Sequence, residues 1–455
     1  MSLIVIMRFD RGACDRSQTE RRSEAIETMA MIAAIAETAI ARFPQGDCLR
    51  EMLHRSTVRD QAMLAMASRV NRMSAVIRRA IVILSALIVL TCRARQPSAA
   101  VAAVNIYAAT GANALAPIAA RALPRAYVPN SKSGTVTVID LRTYRILRAF
   151  PTGKTPQHVV PSHDLSTLWV ANNDSNSLTP IDPLTSTEGK PVPVSDPYNL
   201  YFTPDGRFAM VIAEARKRID FREPKTMNLV QSLPVSCSGL DHIDFTADNR
   251  YAIATCEFSG QVVKVDLASR SVVGYLTLDV RSWFRRIFSR RSHAMPQDIR
   301  SSSDGRRFYA ADMLDDGVFV IDPVKLAVIG FIHTGIGAHG IYPSRDGTKL
   351  YVTNRGWNTI FGGRHGPGSI SVLDQTTNTI VGNWPVPGGG SPDMGNVTAD
   401  GKELWVSGRY DDEVYVFDTA SGALTHRIPV GREPHGLCVW PQPGRYSLGH
   451  TGNMR

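Results

Sequence analysis

Residues 126–440 are built from one phrase that recurs seven times. Each copy has a polar or proline-containing start, a short apolar run, an Asp-Gly type turn, an aromatic-rich strand, a polar loop and an apolar strand ending in aspartate. The clearest copy starts at His339, turns at Asp346-Gly347, continues through Tyr351-Val352-Thr353-Asn354 and closes with the strand from Ser369 to Asp374. The strand-ending aspartates are Asp140, Asp182, Asp220, Asp266, Asp322, Asp374 and Asp418, at spacings of 42, 38, 46, 56, 52 and 44. A unit near 40 residues with two longer copies is what one four-stranded blade per repeat predicts. The Asp220 copy is the least regular.

The turns before the second strands read Asp164-Leu165, Asp205-Gly206, Asp248-Asn249, Asp304-Gly305, Asp346-Gly347 and Asp400-Gly401. Such pairs tolerate the positive φ that tight hairpins need. Between turns lie alternating strand formers such as Thr135-Val136-Thr137-Val138-Ile139. The first copy begins at its second strand, Ala126 to Asn130, and lacks an inner strand. The C-terminus supplies a spare one at His435 to Trp440. Pairing the two removes the sheet edges that an open array would expose. The fold class expected is therefore all-β, a seven-bladed β-propeller over 126–440, with 441–455 as a tail over the closure.

Tyr351-Val352-Thr353-Asn354, with the variants Tyr127-Val128-Pro129-Asn130 and Trp169-Val170-Ala171-Asn172, carries a family resemblance. The chain resembles the YVTN or YncE-like β-propellers over roughly residues 126–440. The resemblance implies the fold. Repeat relatives include surface-layer proteins, lactonase-like propellers and haem d1-binding propellers, so it leaves the function open.

In such a blade the inner strand lines the central channel, and ligand sites gather where the inter-blade connections enter it. Aligned by their turns, the copies give two columns there. One is Gln157, Tyr198, Asp241, Gln297, His339, Asp393 and His435. The next is His158, Asn199, His242, Asp298, Gly340, Met394 and Gly436. Imidazoles and carboxylates converging on a narrow mouth suit a divalent metal or a polar small molecule. The alternative is a ring of satisfied polar groups around channel water. His339, His435 and Asp393 are the candidate metal ligands. Residues 280–295 and 355–368 are insertions expected on the same face. The second carries Arg364 and His365. The first carries Trp283, Phe284, Phe288 and five arginines, Arg281, Arg285, Arg286, Arg290 and Arg291. Those arginines suit either a solvated amphipathic cover or contact with an anionic ligand or membrane surface.

No G-x-S-x-G, H-E-x-x-H or phosphate-loop motif occurs. Without a C-x-x-C-H there is no covalent c-type haem. The expected function is an exported binding or scaffold propeller with a polar His/Asp ligand or metal site at one mouth of the channel, its partner a small molecule or protein. The alternatives are a lactonase-like hydrolase or oxidoreductase-type propeller, and a haem d1-type tetrapyrrole binder with His339, His435 or His365 as axial ligand. A monomer is expected.

The first 125 residues carry 17 Arg and 9 acids, whereas residues 126–455 carry 34 Lys+Arg and 32 acids. Without the five insertion arginines the body is slightly acidic, which disfavours nucleic acid as a partner. Residues 80–92 form an apolar run of 13 behind Arg78-Arg79, short for a bilayer span and suited to a signal-peptide core. Ala100-Val101-Ala102 fits a cleavage site. Residues 73–102 thus read as an export signal, 103–125 as a linker, and 1–72 as a helical extension or an over-extended reading frame. Export to the periplasm, cell surface or medium is expected, with N-terminal anchoring as the alternative. Cys237 and Cys256 could then form a disulfide.

Overall fold

The computed structural model describes residues 105–279, 294–450 and 452–455. The signal segment, residues 1–72 and the arginine-rich insertion lie outside the described residues. Among the described residues no helix is long and apolar enough to cross a membrane.

Seven antiparallel sheets form the blades of a propeller. Blade 1 holds β1 (Arg125–Asn130), β2 (Thr135–Asp140) and β3 (Ile146–Pro151), and its inner strand is β29 (Cys438–Trp440). β29 pairs with β1 through Arg125↔Trp440, Ala126↔Val439 and Tyr127↔Cys438. The two ends of the repeat are thus stitched into one sheet. The inner strands of blades 2 to 7 are β4 (Pro156–Pro161), β9 (Asn199–Phe202), β13 (Leu240–Phe245), β17 (Pro296–Ser301), β21 (Ala338–Pro343) and β25 (Pro392–Val397).

The apolar side chains explain the wheel. Successive strand residues point to opposite faces, and both faces of every blade are apolar. Tyr127 packs toward blade 2 with Val159 and Val170, while its neighbours Ala126 and Val128 pack toward blade 7 with Trp405 and Val414. Equivalent clusters fill the other inter-blade seams, with Tyr201 and Ile243 between blades 3 and 4 and Phe319 and Ile253 between blades 4 and 5. A blade at an open end would leave one such face wet.

The repeat phrase also has a polar role. Asn354 donates to the Ser369 and Ser371 hydroxyls at 3.1 and 3.0 Å, and Asn130 and Asn172 make the same bonds to their third strands. Asp374 accepts the backbone N–H groups of Thr376 and Thr377, capping the outer turn, and Asp140, Asp266 and Asp322 do likewise. Blade 3 departs from the sequence expectation. Asp220 lies within β11 (Arg218–Arg222), buried between Arg218, Arg222 and Ser232, and the outer turn is capped by Glu223. Measured to Glu223, the neighbouring spacings become 41 and 43, and the repeat is more regular than the aspartates alone suggest.

Asn354→Ala should lower unfolding stability by about 1–3 kcal/mol, because two buried hydroxyls lose their donor. Asp374→Ala, at an exposed turn, should lower it by less than about 1 kcal/mol. Denaturant melts of both variants check the ranking, and equal losses would contradict it.

Candidate functional site

An ordinary strand would send only one of the two columns into the channel. The inner strands break that rule with a bulge at the same place. In β13 the pairing moves from Leu240↔Cys256 to Ile243↔Ala254, so one extra residue is inserted, and β4, β17, β21 and β25 show the same shift. A bulge leaves its extra residue unpaired and re-aims a side chain. Hydroxyls of the second strand stabilise it. Thr353 Oγ1 accepts from Gly340 N–H at 2.7 Å, and Thr255 and Ser407 serve His242 and Met394.

Both columns therefore gather at the axis. Gln157, His158, Asn199, Asp241, His242, Gln297, Asp298, His339, Asp393 and His435 are all buried. His158 lies 4.8 Å from His435 and 5.6 Å from His242 between ring centroids, and His339 lies 6.2 Å from His435 and 6.5 Å from His242. Four imidazoles from blades 1, 2, 4 and 6 thus face one another across the channel. Burial pushes each of them well below the ordinary histidine range, so they are neutral near pH 7.

A fifth imidazole comes from the tail. Residues 441–455 do not stop at the closure but cross the far end of the channel, the end where the Asp-Gly turns lie. Phe202 N–H donates to Leu448 at 2.9 Å, and His450 N–H to Leu200 at 2.9 Å. Asn453 and Arg455 both donate to Asp244 at 2.9 Å, and Arg455 lies over the Tyr107 ring. His450 is fully buried, 4.5 Å from the His242 ring. Sequence reading passed over it because it lies outside the repeat. The signal available was a tail too rich in His, Asn and Gly to be mere overhang.

Two sets of two histidines and one aspartate have ligand atoms within 4.8 Å of one another: His242, Asp298 and His450, and His339, Asp393 and His435. Their hydrogen bonding tells them apart. In the first set Asn199 Nδ2 lies 3.1 Å from His242 Nδ1 and 3.2 Å from His450 Nδ1. Asn199 Oδ1 accepts from Leu200 N–H, so its orientation is fixed. An amide nitrogen only donates. Both Nδ1 lone pairs are therefore used, and both rings carry their proton on Nε2, facing Asp241 at 3.2 Å and Asp298 at 3.7 Å. Asp298 also accepts from Ile299 and Ile341 N–H. Asn199 thus serves both Nδ1 atoms of this lower set and seats the tail, while His242 Nε2 makes no hydrogen bond.

The upper set is open. His339 Nδ1, His435 Nδ1 and Asp393 Oδ2 make no hydrogen bond, although His339 Nδ1 lies 3.1 Å from Asp393 Oδ1 and His435 Nε2 3.5 Å from Asp393 Oδ2. Asp393 Oδ1 takes a 2.6 Å bond from Arg355 Nε, and Arg409 lies 3.5 Å from Oδ2. Arg364 and His365 are not in the channel. They sit on the rim against Asp412 and Asp411. Cys237 and Cys256 are joined in a disulfide across the start of blade 4.

A third column escaped the sequence reading. The residue just after each second strand reads Ser131, Asn173, Glu214, Glu257, Met313, Arg355 and Arg409 from blade 1 to blade 7, and of these Arg355 and Arg409 reach Asp393 and Glu257 reaches Gln297. Acids stand on blades 3 and 4 and arginines on blades 6 and 7. The position after the repeat's Asn was legible, but only the structure shows that it turns inward.

The fold and the polar axial site define a seven-bladed propeller with a buried histidine-rich channel. The chain belongs to the YNCE-like β-propeller family, whose model matches residues 89–443. No curated protein sequence matches it. Solved structures share the fold at low identity. One is a protein of unknown function from Desulfotomaculum acetoxidans, 15% identical, TM-score 0.56, covering 70% of this chain and 99% of that one. Another is a putative 6-phosphogluconolactonase from Bacteroides uniformis, 18% identical, TM-score 0.54, covering 69% and 98%. A third is the dihydro-heme d1 dehydrogenase NirN, 16% identical, TM-score 0.50, covering 69% and 75%.

Asn199→Ala should release the tail, with backbone exchange across residues 444–455 at least tenfold faster while the blade strands stay protected. Unchanged tail exchange would contradict the network. Glu214 gives a pH test. Burial first, then Glu257 and Asp196, raise its carboxyl to about 7. The folded chain holds this proton more tightly than the unfolded chain. Its contribution is full at low pH and is lost as pH rises from the ordinary Glu range to about 7. Glu214→Gln should therefore be more stable than the parent at pH 8, by about 1 kcal/mol given the partial exposure, and no more stable at pH 4. Thermal melts at both pH values check the sign.

Proposed function

We propose that this chain is an exported binding propeller that holds a divalent transition-metal ion in its channel through His339, Asp393 and His435. One observation carries the reading: three buried groups from blades 1, 6 and 7 bring ligand atoms within 4.8 Å of one another and leave His339 Nδ1, His435 Nδ1 and Asp393 Oδ2 without hydrogen bonds. Buried polar atoms are rarely left so. Neutral imidazole is the form that binds metal, and burial keeps both rings neutral. Two imidazoles and a carboxylate suit zinc or a neighbouring first-row ion. Arg355 bonds the same carboxylate and orients it, and Arg409 lies 3.5 Å from its Oδ2. Their charges oppose a cation, and Asp241, Glu257 and Glu214 at the same mouth offset them.

Export rests on the signal-like segment at 73–102 and is supported by the Cys237–Cys256 disulfide, which persists in oxidising compartments. The lactonase, oxidoreductase and tetrapyrrole alternatives have fold likeness behind them and no placed catalytic group.

Elemental analysis of the full chain after zinc or cobalt loading and gel filtration should find about one ion per chain. The His339→Ala/His435→Ala double variant should lose it, and Asn199→Ala should keep it. Cobalt loading should also give a visible spectrum that the double variant lacks. No retained ion, or an ion indifferent to the double variant, would overturn the metal reading. N-terminal sequencing of exported protein should start after residue 102.

A further inference from the structure

The mouth above the histidines is electrically divided. Glu214 and Glu257 follow the second strands of blades 3 and 4, and Arg355 and Arg409 stand at the equivalent positions of blades 6 and 7. Met313 of blade 5 separates the two arcs. Asp241, one layer deeper and almost fully buried, joins the acidic arc, with the neutral His242 ring 3.2 Å from Oδ1 and no Lys or Arg within ion-pair distance among the described residues. Glu257 accepts one side-chain bond, from Gln297 at 3.0 Å. Among the described residues neither Glu214 nor Glu257 has a cation within ion-pair distance.

We propose that this mouth binds a small zwitterion, a molecule with an ammonium and a carboxylate group, its ammonium against Glu214, Glu257 and Asp241 and its carboxylate against Arg409. The inference does not require the metal.

Three observations converge on it. Among the described residues the acidic arc has no cation within ion-pair distance. Burial first raises the Asp241, Glu257 and Glu214 carboxyls, and repulsion from Glu257 adds at Asp241 and Glu214, while Gln297, Arg355 and Arg409 draw Glu257 back down. The basic arc has a guanidinium to spare. Arg355 is committed to Asp393 at 2.6 Å and is buried, whereas Arg409 is partly exposed and only approaches Asp393, at 3.5 Å. A planar guanidinium offers five donors in a fork that matches a carboxylate. There is also room at the carboxylate end. A cleft of about 730 Å³ opens beside Arg409 on the side of blades 1 and 2, with Lys132, Lys154, Asp174 and Glu433 in its lining and none of the three acids of the arc. Lys132 is paired with Glu433, while Lys154 has no carboxylate partner among the described residues.

A ligand with one charge satisfies one arc and is repelled by the other. A ligand with both, spaced to span the mouth, gains from each, and the two attachments reinforce one another through effective concentration. The far end of the channel is covered by the tail, so this mouth is the end a ligand can reach.

The probe is a molecular ruler: unbranched ω-amino acids with one to five methylenes between ammonium and carboxylate, with propionate and propylamine as controls. Calorimetric titration of the full chain at pH 7.5, with and without chelator, should show one preferred length. That length should bind at least tenfold more tightly than either control. Glu257→Gln should weaken it about tenfold and leave propionate unchanged. Arg409→Met should weaken both it and propionate. Circular dichroism and melting of both variants show that they fold. No length exceeding the controls, or loss in neither variant, would overturn the proposal. Binding that survives the chelator separates this result from the metal reading, and failure of metal loading leaves the ruler result standing.

Discussion

Every blade of this protein has two apolar faces, and that constraint sets the rest. Tyr127 and Val128 are neighbours in one strand yet belong to different inter-blade seams. No blade can bury its surface alone, and no stack of seven can bury its ends unless they meet. The β1–β29 pairing meets this need with a few backbone bonds, and it places Trp440 and Val439 in the two seams that flank blade 1. Closure also fixes the diameter of the channel, and hence how closely side chains from distant blades must approach.

Within that channel the polar groups fall into two layers. In the lower one the Asn199 amide serves two imidazoles at once and so holds the tail's His450 against His242. The upper layer keeps unpaired ring nitrogens and a half-used carboxylate at His339, His435 and Asp393. Buried groups with unused hydrogen-bonding capacity lower stability, and in this channel they include His158, His242 and Asp241 as well as the upper set.

The legibility of the fold and of the site differed for physical reasons. Blades were readable because Asn354 with its two serines and Asp374 with its turn amides act locally, within one repeat, and local interactions leave periodic marks. Asp220 misled because a buried ion pair with Arg218 and Arg222 occupies a position near the one where an outer cap was expected, while Glu223 does the capping. The two channel columns were readable by alignment. Arg355, Arg409, Glu214 and Glu257 were not, since a residue just past a strand can turn either way, and the bulge that aims its neighbours leaves no signature of its own.

The sequence by itself determined the repeat, the number of blades, the closing strand and the two inner-strand columns of the channel, because each follows from short-range pattern and from the need to bury two-faced sheets. Tertiary structure alone decided which of those residues meet. His435 and His158 are far apart in the chain and 4.8 Å apart in space, His450 arrives from a tail outside the repeat, and acids and arginines from opposite blades share one mouth. Ring closure brings them together, and distance across a ring cannot be read along a line.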